Sequence, residues 1–319
     1  MTRVSEAEHC GLRAFVLESA TSKAVLLPSH GFNLAGFSHL PSGREAFDPP
    51  HGGTYAEIPA NAPFSKFHTS GCDDMLPTID ACAIDGAALP DHGEVWSREW
   101  NAAAEGEAVA GNVELRCLPL RLEKRVRLDG NELSMEYRLS NLSDKPRTYL
   151  WALHPLFRLE DDTLLRLPHG TGRIVNVHPS DFLGEPGDIH PWPLAAPVYD
   201  QEFDLSQAGK YPAGKDFKFY VKGGLFRGSA ALEFPRDHLF LEVAFDPGKL
   251  PWLGVWISTG GFRNSRLIAI EPASAFCDSP ADARSRNTEA VLGPRETREW
   301  TVALRWTQRE KLVKNDYAW

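Results

Sequence analysis

The sequence holds little that would send it to a membrane or a nucleic acid. No apolar run approaches the roughly 20 residues that span a bilayer. The first thirteen residues, MTRVSEAEHCGLR, lack the apolar core of a signal peptide. Positive charge is in deficit: 34 Lys and Arg stand against 43 Asp and Glu, for a net charge of -9. That sign repels phosphate backbones and anionic lipid surfaces, so neither nucleic acid nor membrane is expected as a partner. Cysteine is scarce too. Cys10, Cys72, Cys82, Cys117 and Cys277 are an odd number with no CxxC pair, which argues against a disulfide framework or a zinc site. The expectation is a reduced, cytoplasmic protein with incidental thiols, and Asn141-Leu142-Ser143 then carries no meaning as a glycosylation acceptor. Helical periodicity is nearly missing. The fair helix candidate is Ser279 to Glu289, with Ser279 as cap and Pro280 at the first helical position.

Strand signals fill the space that helices leave. Ala14 to Leu27 gives two short runs around the turn residues Ser19 to Ser22. Asp129-Gly130 lies between two strand-like arms and is a strong short-range hairpin signal. In the second arm Leu133, Met135, Tyr137 and Leu139 alternate with Ser134, Glu136, Arg138 and Ser140, the period of two that buries one face. Phe217, Phe219 and Val221 alternate likewise, as do Leu239, Leu241 and Val243, and Trp300, Val302, Leu304 and Trp306. Pro41 to Asn61 reads as loop, and Ser70 to Thr78 and Leu89 to Trp96 read as loops or strand ends. Leu165 to Gln207 reads as a long excursion with short strands. Many strands, regular turns and no linker predict a single all-β domain over residues 1–319, a large antiparallel β-sandwich. Nine Trp and seventeen Phe would stack in such a core, and rings of this kind also cover the apolar faces of sugars.

Chemistry is expected first at Arg266 to Pro280, RLIAIEPASAFCDSP. Leu267 to Ile270 reads as a short buried strand with Glu271 at its end, before a proline that cannot donate to a ladder. Partial desolvation there raises a carboxyl pKa toward neutrality, which is how a fold prepares a general base. The alternative is a glutamate that has simply reached solvent. Of eleven histidines, His92 and His154 stand out by position. His92 lies in a loop between Asp91 and Gly93; His154 closes an apolar strand before Pro155. With Glu271 they make an acid/base set, although spacing alone does not bring them together.

Four segments, in order, resemble the aldose 1-epimerase (galactose mutarotase-like) family. LPDHGEVW is similar to its His-Gly segment, and YLWALHPLFRL to its strand ending in His and an aromatic. HLFLEVAFDPGKLPWLGVWISTGGF is similar to its long hairpin. RLIAIEPASAFCDSP with VLGPRETREWTVALRW is similar to its catalytic Glu strand, Asp-Ser-Pro turn and closing strand. The likeness runs from about Val25 to Trp306. It implies a galactose mutarotase-like supersandwich that interconverts the α and β anomers of an aldose, without metal or organic cofactor. By the same resemblance Glu271 would be the base and His154 the acid, with His92 beside the substrate and Asp216 on a sugar hydroxyl.

The sequence also departs from the family. Galactose-active members carry a substrate-gripping Arg before the first His, where this chain reads Gly71-Cys72-Asp73-Asp74-Met75. Asp73 and Asp74 would bind sugar hydroxyls in its place. Arg98 resembles an Arg of the sugar-phosphate branch, and Trp96 and Trp256 are candidates for a stacking platform or for core. Three functions stay open: an aldose 1-epimerase, a non-catalytic carbohydrate-binding protein, and another sugar-active enzyme on the same scaffold. A glycoside hydrolase, with two carboxylates flanking the bond, or a sugar-phosphate mutarotase would be of the last kind.

Overall fold

A computed structural model describes residues 1–59, 62–67, 70–196 and 201–308. The last two residues of the loop expected over Pro41 to Asn61 lie outside the described residues. Strands carry the fold, and the named ladders are antiparallel. Among the described residues no helix is long and apolar enough to cross a membrane. The five cysteines are free thiols. Contacts among the described residues divide the chain into two compact units, Met1–His154 with Ala273–Ala303, and Pro155–Pro272 with residues 304–308.

In the first unit, Arg3–His9, Leu12–Glu18, Ser22–Leu27 and Asn33–His39 form a meander that continues to Cys72–Met75 through Leu34 and Cys72. Ala152–Pro155 joins the same sheet and pairs Ala152 with Ala273. A second sheet contains Asn101–Glu105, Ala108–Glu114, Leu120–Asp129 and Glu132–Asn141. The hairpin between the last two holds its expected alternation: Leu133, Met135, Tyr137 and Leu139 are buried at 0–2% exposure. Each such apolar side chain contributes on the order of 1.5–3 kcal/mol by leaving water. Its turn falls one residue later than Asp129-Gly130 suggests. Asp129 still pairs with Glu132, and Gly130, at φ 55, opens the two-residue loop, the position where a type II′ turn requires glycine.

The helix expected over Ser279 to Glu289 is shorter, Pro280–Ser285. Ser279 caps it by accepting from the Asp282 N–H at 3.1 Å. It stops where Asn287 turns left-handed at φ 57 and the Thr288 N–H returns to the Ala283 carbonyl, a common way to close a helix. Cys72–Met75, within the segment expected to be loop or strand end, is a fully buried strand.

In the second unit, Arg266–Ala273 lies beside Trp252–Thr259, which pairs with Asp216–Val221, and that strand with Arg173–Asn176 and then Ile189–Pro191. Phe157–Arg158 pairs with the outer part of Arg266–Ala273 through Phe157 and Ile268. Among its described residues, the Leu165 to Gln207 excursion contains short strands of two to four residues, as expected.

Candidate functional site

The loop that carries His92 is fixed by its own backbone. His92 itself takes a left-handed φ of 58, and Gly93 follows at φ 68. A β-carbon on Gly93 would lie 2.0 Å from the Leu76 carbonyl oxygen, so only glycine lets the two segments approach. The Glu94 N–H then donates to that same carbonyl at 2.9 Å. On this support His92 Nδ1 meets Asp91 Oδ1 at 2.9 Å, and its ring stacks on Phe64 with centroids 4.0 Å apart and planes 6° from parallel. Burial pushes the Asp91 carboxyl up, but the hydrogen bond and charge of His92 and the Phe64 N–H outweigh it and leave the group below the usual aspartate range.

His154, 5% exposed, stands on the strand Ala152–Pro155. Its ring centroid lies 5.2 Å from that of His92 and 5.1 Å from Phe64. The structure therefore brings the two predicted histidines of the first unit together around Phe64. Sequence reasoning missed Phe64, and nothing local to PFSKF ties that phenyl ring to a distant imidazole.

The other predicted residues of this unit take different positions. Trp96 is buried and donates from Nε1 to the Gly93 carbonyl at 3.1 Å, which supports the His92 loop from below. Asp73 accepts from Asn33 Nδ2 at 2.9 Å and has no exposed surface. Asp74 pairs with Lys124 at 3.0 Å and also accepts from Trp151 Nε1 at 3.2 Å, all of it in core. Arg98 donates to the Glu114 carbonyl at 3.1 Å and borders a cavity of about 550 Å³ whose walls include Pro90, Glu94 and Arg116.

The second unit presents a separate group on one sheet face. Glu271 is 1% exposed and lies inside the strand Arg266–Ala273, which runs through Pro272 to Ala273; it does not stand at the strand's end. Proline keeps the extended conformation and costs only its own ladder donor, so the strand survives it. Glu271 Oε2 meets Lys218 Nζ at 3.0 Å. Lys218 lies directly opposite Trp256 in the ladder, and Asp216 opposite Ser258, which puts Asp216, Lys218 and Trp256 on the same face. Trp256 is half-buried, edge-on to Phe262 with centroids 5.5 Å apart. Asp216 Oδ1 has no hydrogen-bond partner among the described residues, and a β-carbon on Gly261 would lie 2.7 Å from it. An acceptor of that kind beside a half-buried indole suits a polar ligand with one apolar face. Lys218 was missed because it alternates with Phe217 and Phe219, where a lysine reads as solvent-facing.

The sequence matches no protein-family model and none of the curated proteins. Solved structures do match. The Slr1438 protein from Synechocystis sp. PCC 6803 aligns with a TM-score of 0.71 at 16% identity over 97% of this chain and 100% of its own. A candidate aldose 1-epimerase from Klebsiella pneumoniae aligns at 0.70 and 15% identity, over 94% of this chain and 81% of its own. A galactose mutarotase-like protein from Clostridium acetobutylicum aligns at 0.66 and 12% identity, over 96% and 99%.

The fold is galactose mutarotase-like. Several of the solved structures that share it are described as candidate aldose 1-epimerases or galactose mutarotase-like proteins, at 12–16% identity. Within the galactose mutarotase-like fold, the positions carried over from the sequence fall into an imidazole group on the first unit and a carboxylate group on the second.

Proposed function

We propose that this protein is an aldose 1-epimerase acting on a free or modified hexose. The observation that carries the reading is the pairing of His92 with His154, rings 5.2 Å apart, in a fold otherwise found in mutarotase-like proteins. Two adjacent imidazoles supply proton donors and acceptors near neutral pH. Glu271 and Asp216 supply buried carboxylate oxygens on a face that also bears Trp256.

In this reading Glu271 removes the proton from the anomeric hydroxyl while His154 protonates the ring oxygen. The C1–O5 bond breaks, and the electron pair released at O1 makes the aldehyde. Rotation about C1–C2 turns the carbonyl, and O5 attacks its other face. His154 then takes back its proton and Glu271 returns the other, so the cycle closes without net change at the enzyme. His92 holds the substrate beside His154, and Asp216 accepts from a ring hydroxyl. Each positioned proton transfer contributes typically about 10²–10⁴-fold.

Polarimetry of freshly dissolved α-glucose and α-galactose tests the proposal. The wild type should speed the approach to anomeric equilibrium, and H154A should lose that effect while remaining folded. Sugar binding with no acceleration would make the protein a carbohydrate-binding module instead. Release of reducing ends from an oligosaccharide would make it a hydrolase.

A further inference from the structure

Lys218 and Glu271 stand on strands that are not neighbours. Asp216–Val221 and Arg266–Ala273 both flank Trp252–Thr259, so the ion pair has to cross two inter-strand steps. Each step is about 4.8 Å, and only a long side chain spans their sum. The crossing passes over Gly254. A β-carbon there would lie 3.2 Å from Glu271 Oε2 and 3.1 Å from the Tyr220 ring, so glycine keeps the path open. The ammonium and the carboxylate, 5% and 1% exposed, meet at 3.0 Å.

Two opposed effects act on a carboxylate in such a place. Loss of water favours its neutral form, and an adjacent cation favours the ionised one. Both partners here are almost wholly buried, which gives the cation little solvent to weaken it. Among the described residues, the Lys218 strand also places Tyr220 and Asp216 on this face, and Trp252–Thr259 places Gly254, Trp256 and Ser258 there, none of which titrates. The strand that pairs at Ala273 carries His154, two residues beyond Ala152.

We infer that Lys218 is a positioning residue: reaching across Gly254, it aims the Glu271 carboxylate and keeps it ionised. The inference rests on the epimerase reading for its kinetic consequence, not for the ion pair itself. In that setting Glu271 is ready to take a proton at pH values where an isolated buried glutamate would already hold one. When it has taken the anomeric proton, the pair becomes ammonium beside neutral acid, which favours handing the proton back at ring closure.

The test follows the carboxyl directly. Protein labelled with ¹³C at the glutamate side-chain carboxyl is titrated by NMR, and the resonance missing from E271Q identifies Glu271. In the wild type the midpoint should lie at or below that of an ordinary glutamate, about 4.3. K218M should raise it by about one to three pH units, and K218R should restore most of the difference. An H154N background should leave the Lys218 effect in place, separating it from the imidazole. The acid limb of the anomerisation profile should move with the midpoint in K218M. A wild-type midpoint well above 4.3, or a midpoint unmoved by K218M, overturns the inference; the first readout decides even if K218M fails to fold. If the midpoint moves as expected but no variant or wild type interconverts anomers, the ion-pair role stands and the epimerase reading fails.

Discussion

The molecule contains two buried lysine–carboxylate pairs with the same 3.0 Å separation and different surroundings. Asp74–Lys124 lies in the first unit with neither side chain exposed at all. Trp151 gives Asp74 a further hydrogen bond, and Lys124 lies 5.6 Å from the centre of the Phe32 ring and 5.5 Å from that of Tyr137. Every direction from that pair leads into core. Glu271–Lys218 instead lies on a sheet face beside a half-buried Trp256, a glycine where a side chain would crowd it, and an Asp216 oxygen without a partner. The contact distance does not distinguish a pair that joins two sheets in the core from the pair proposed above to prepare a base. The neighbours differ: aromatic rings and a second hydrogen bond to Asp74 in one case, a glycine and an Asp216 oxygen with no hydrogen-bond partner among the described residues in the other.

That contrast breaks most directly at Glu271. If the proposed base assignment holds, E271Q should lower the anomerisation rate by about 10²–10⁴-fold, read by polarimetry, with circular dichroism unchanged. The same kind of change at the core pair should leave chemistry alone and strike stability. K124M should cost about 3–5 kcal/mol in urea unfolding, because Asp74 is left buried and unpaired. Replacing both partners, D74L with K124M, should recover most of that loss. Equal stability of K124M and wild type would show the core pair to be no more than a bystander. G254A sharpens the comparison further. Its β-carbon must push Glu271 Oε2 or the Tyr220 ring aside, so a loss of about 1–3 kcal/mol is expected, together with a roughly tenfold slower rate. A silent G254A would mean that the crossing has room to spare.

Both pairs also show what sequence patterning reveals and where it stops. The hairpin at Leu120–Asp129 and Glu132–Asn141 was legible because alternation of two encodes a wet and a dry face, and here one face is truly wet. Phe217 and Phe219 were read correctly as inward. The same rule would send Lys218, between them, to solvent, yet it is 4% exposed. Period two reports which face a residue is on, not whether that face meets water. Cys72–Met75 was ambiguous for the converse reason. Two acids in four residues suit a loop or a strand end, since Asp is depleted in strands, but Asn33 and Lys124 pair with them in the core. Arg3–His9, polar nearly throughout, was passed over; it is a charged edge strand, where few side chains need burial. Of the candidate site, the family-like segments yielded His92, His154 and Glu271. Their partners Phe64 and Lys218 are tertiary neighbours of those residues, and single-chain spacing carries no signal for the packing that sets them there; Asp91 adjoins His92 in sequence, but adjacency alone does not show that its carboxylate turns back to Nδ1.

The least of the expected effects concerns a third pair, which is not buried. Asp91 and His92 meet at 2.9 Å, with side-chain exposures of 40% and 20%. Solvent screens such a pair, so D91N should change stability by no more than about 1 kcal/mol. Because the Asp91 carboxyl is held below its usual range, what stability it gives is present above the ordinary aspartate pKa of about 3.9 and is lost as the pH falls through the lowered value. The Asp91 contribution to stability should therefore stay constant between pH 6 and 8. The kinetic effect should be separable. Asn can still bond Nδ1 but carries no charge, so D91N should slow the proposed reaction by about threefold to tenfold, with the Phe64 stack keeping the ring in place. Measured with F64A beside it, D91N should lower kcat while F64A, which frees the ring, raises KM as well. If D91N instead proved as damaging as E271Q, the charge at Asp91 would have to be read as part of the chemistry and not as a support for His92.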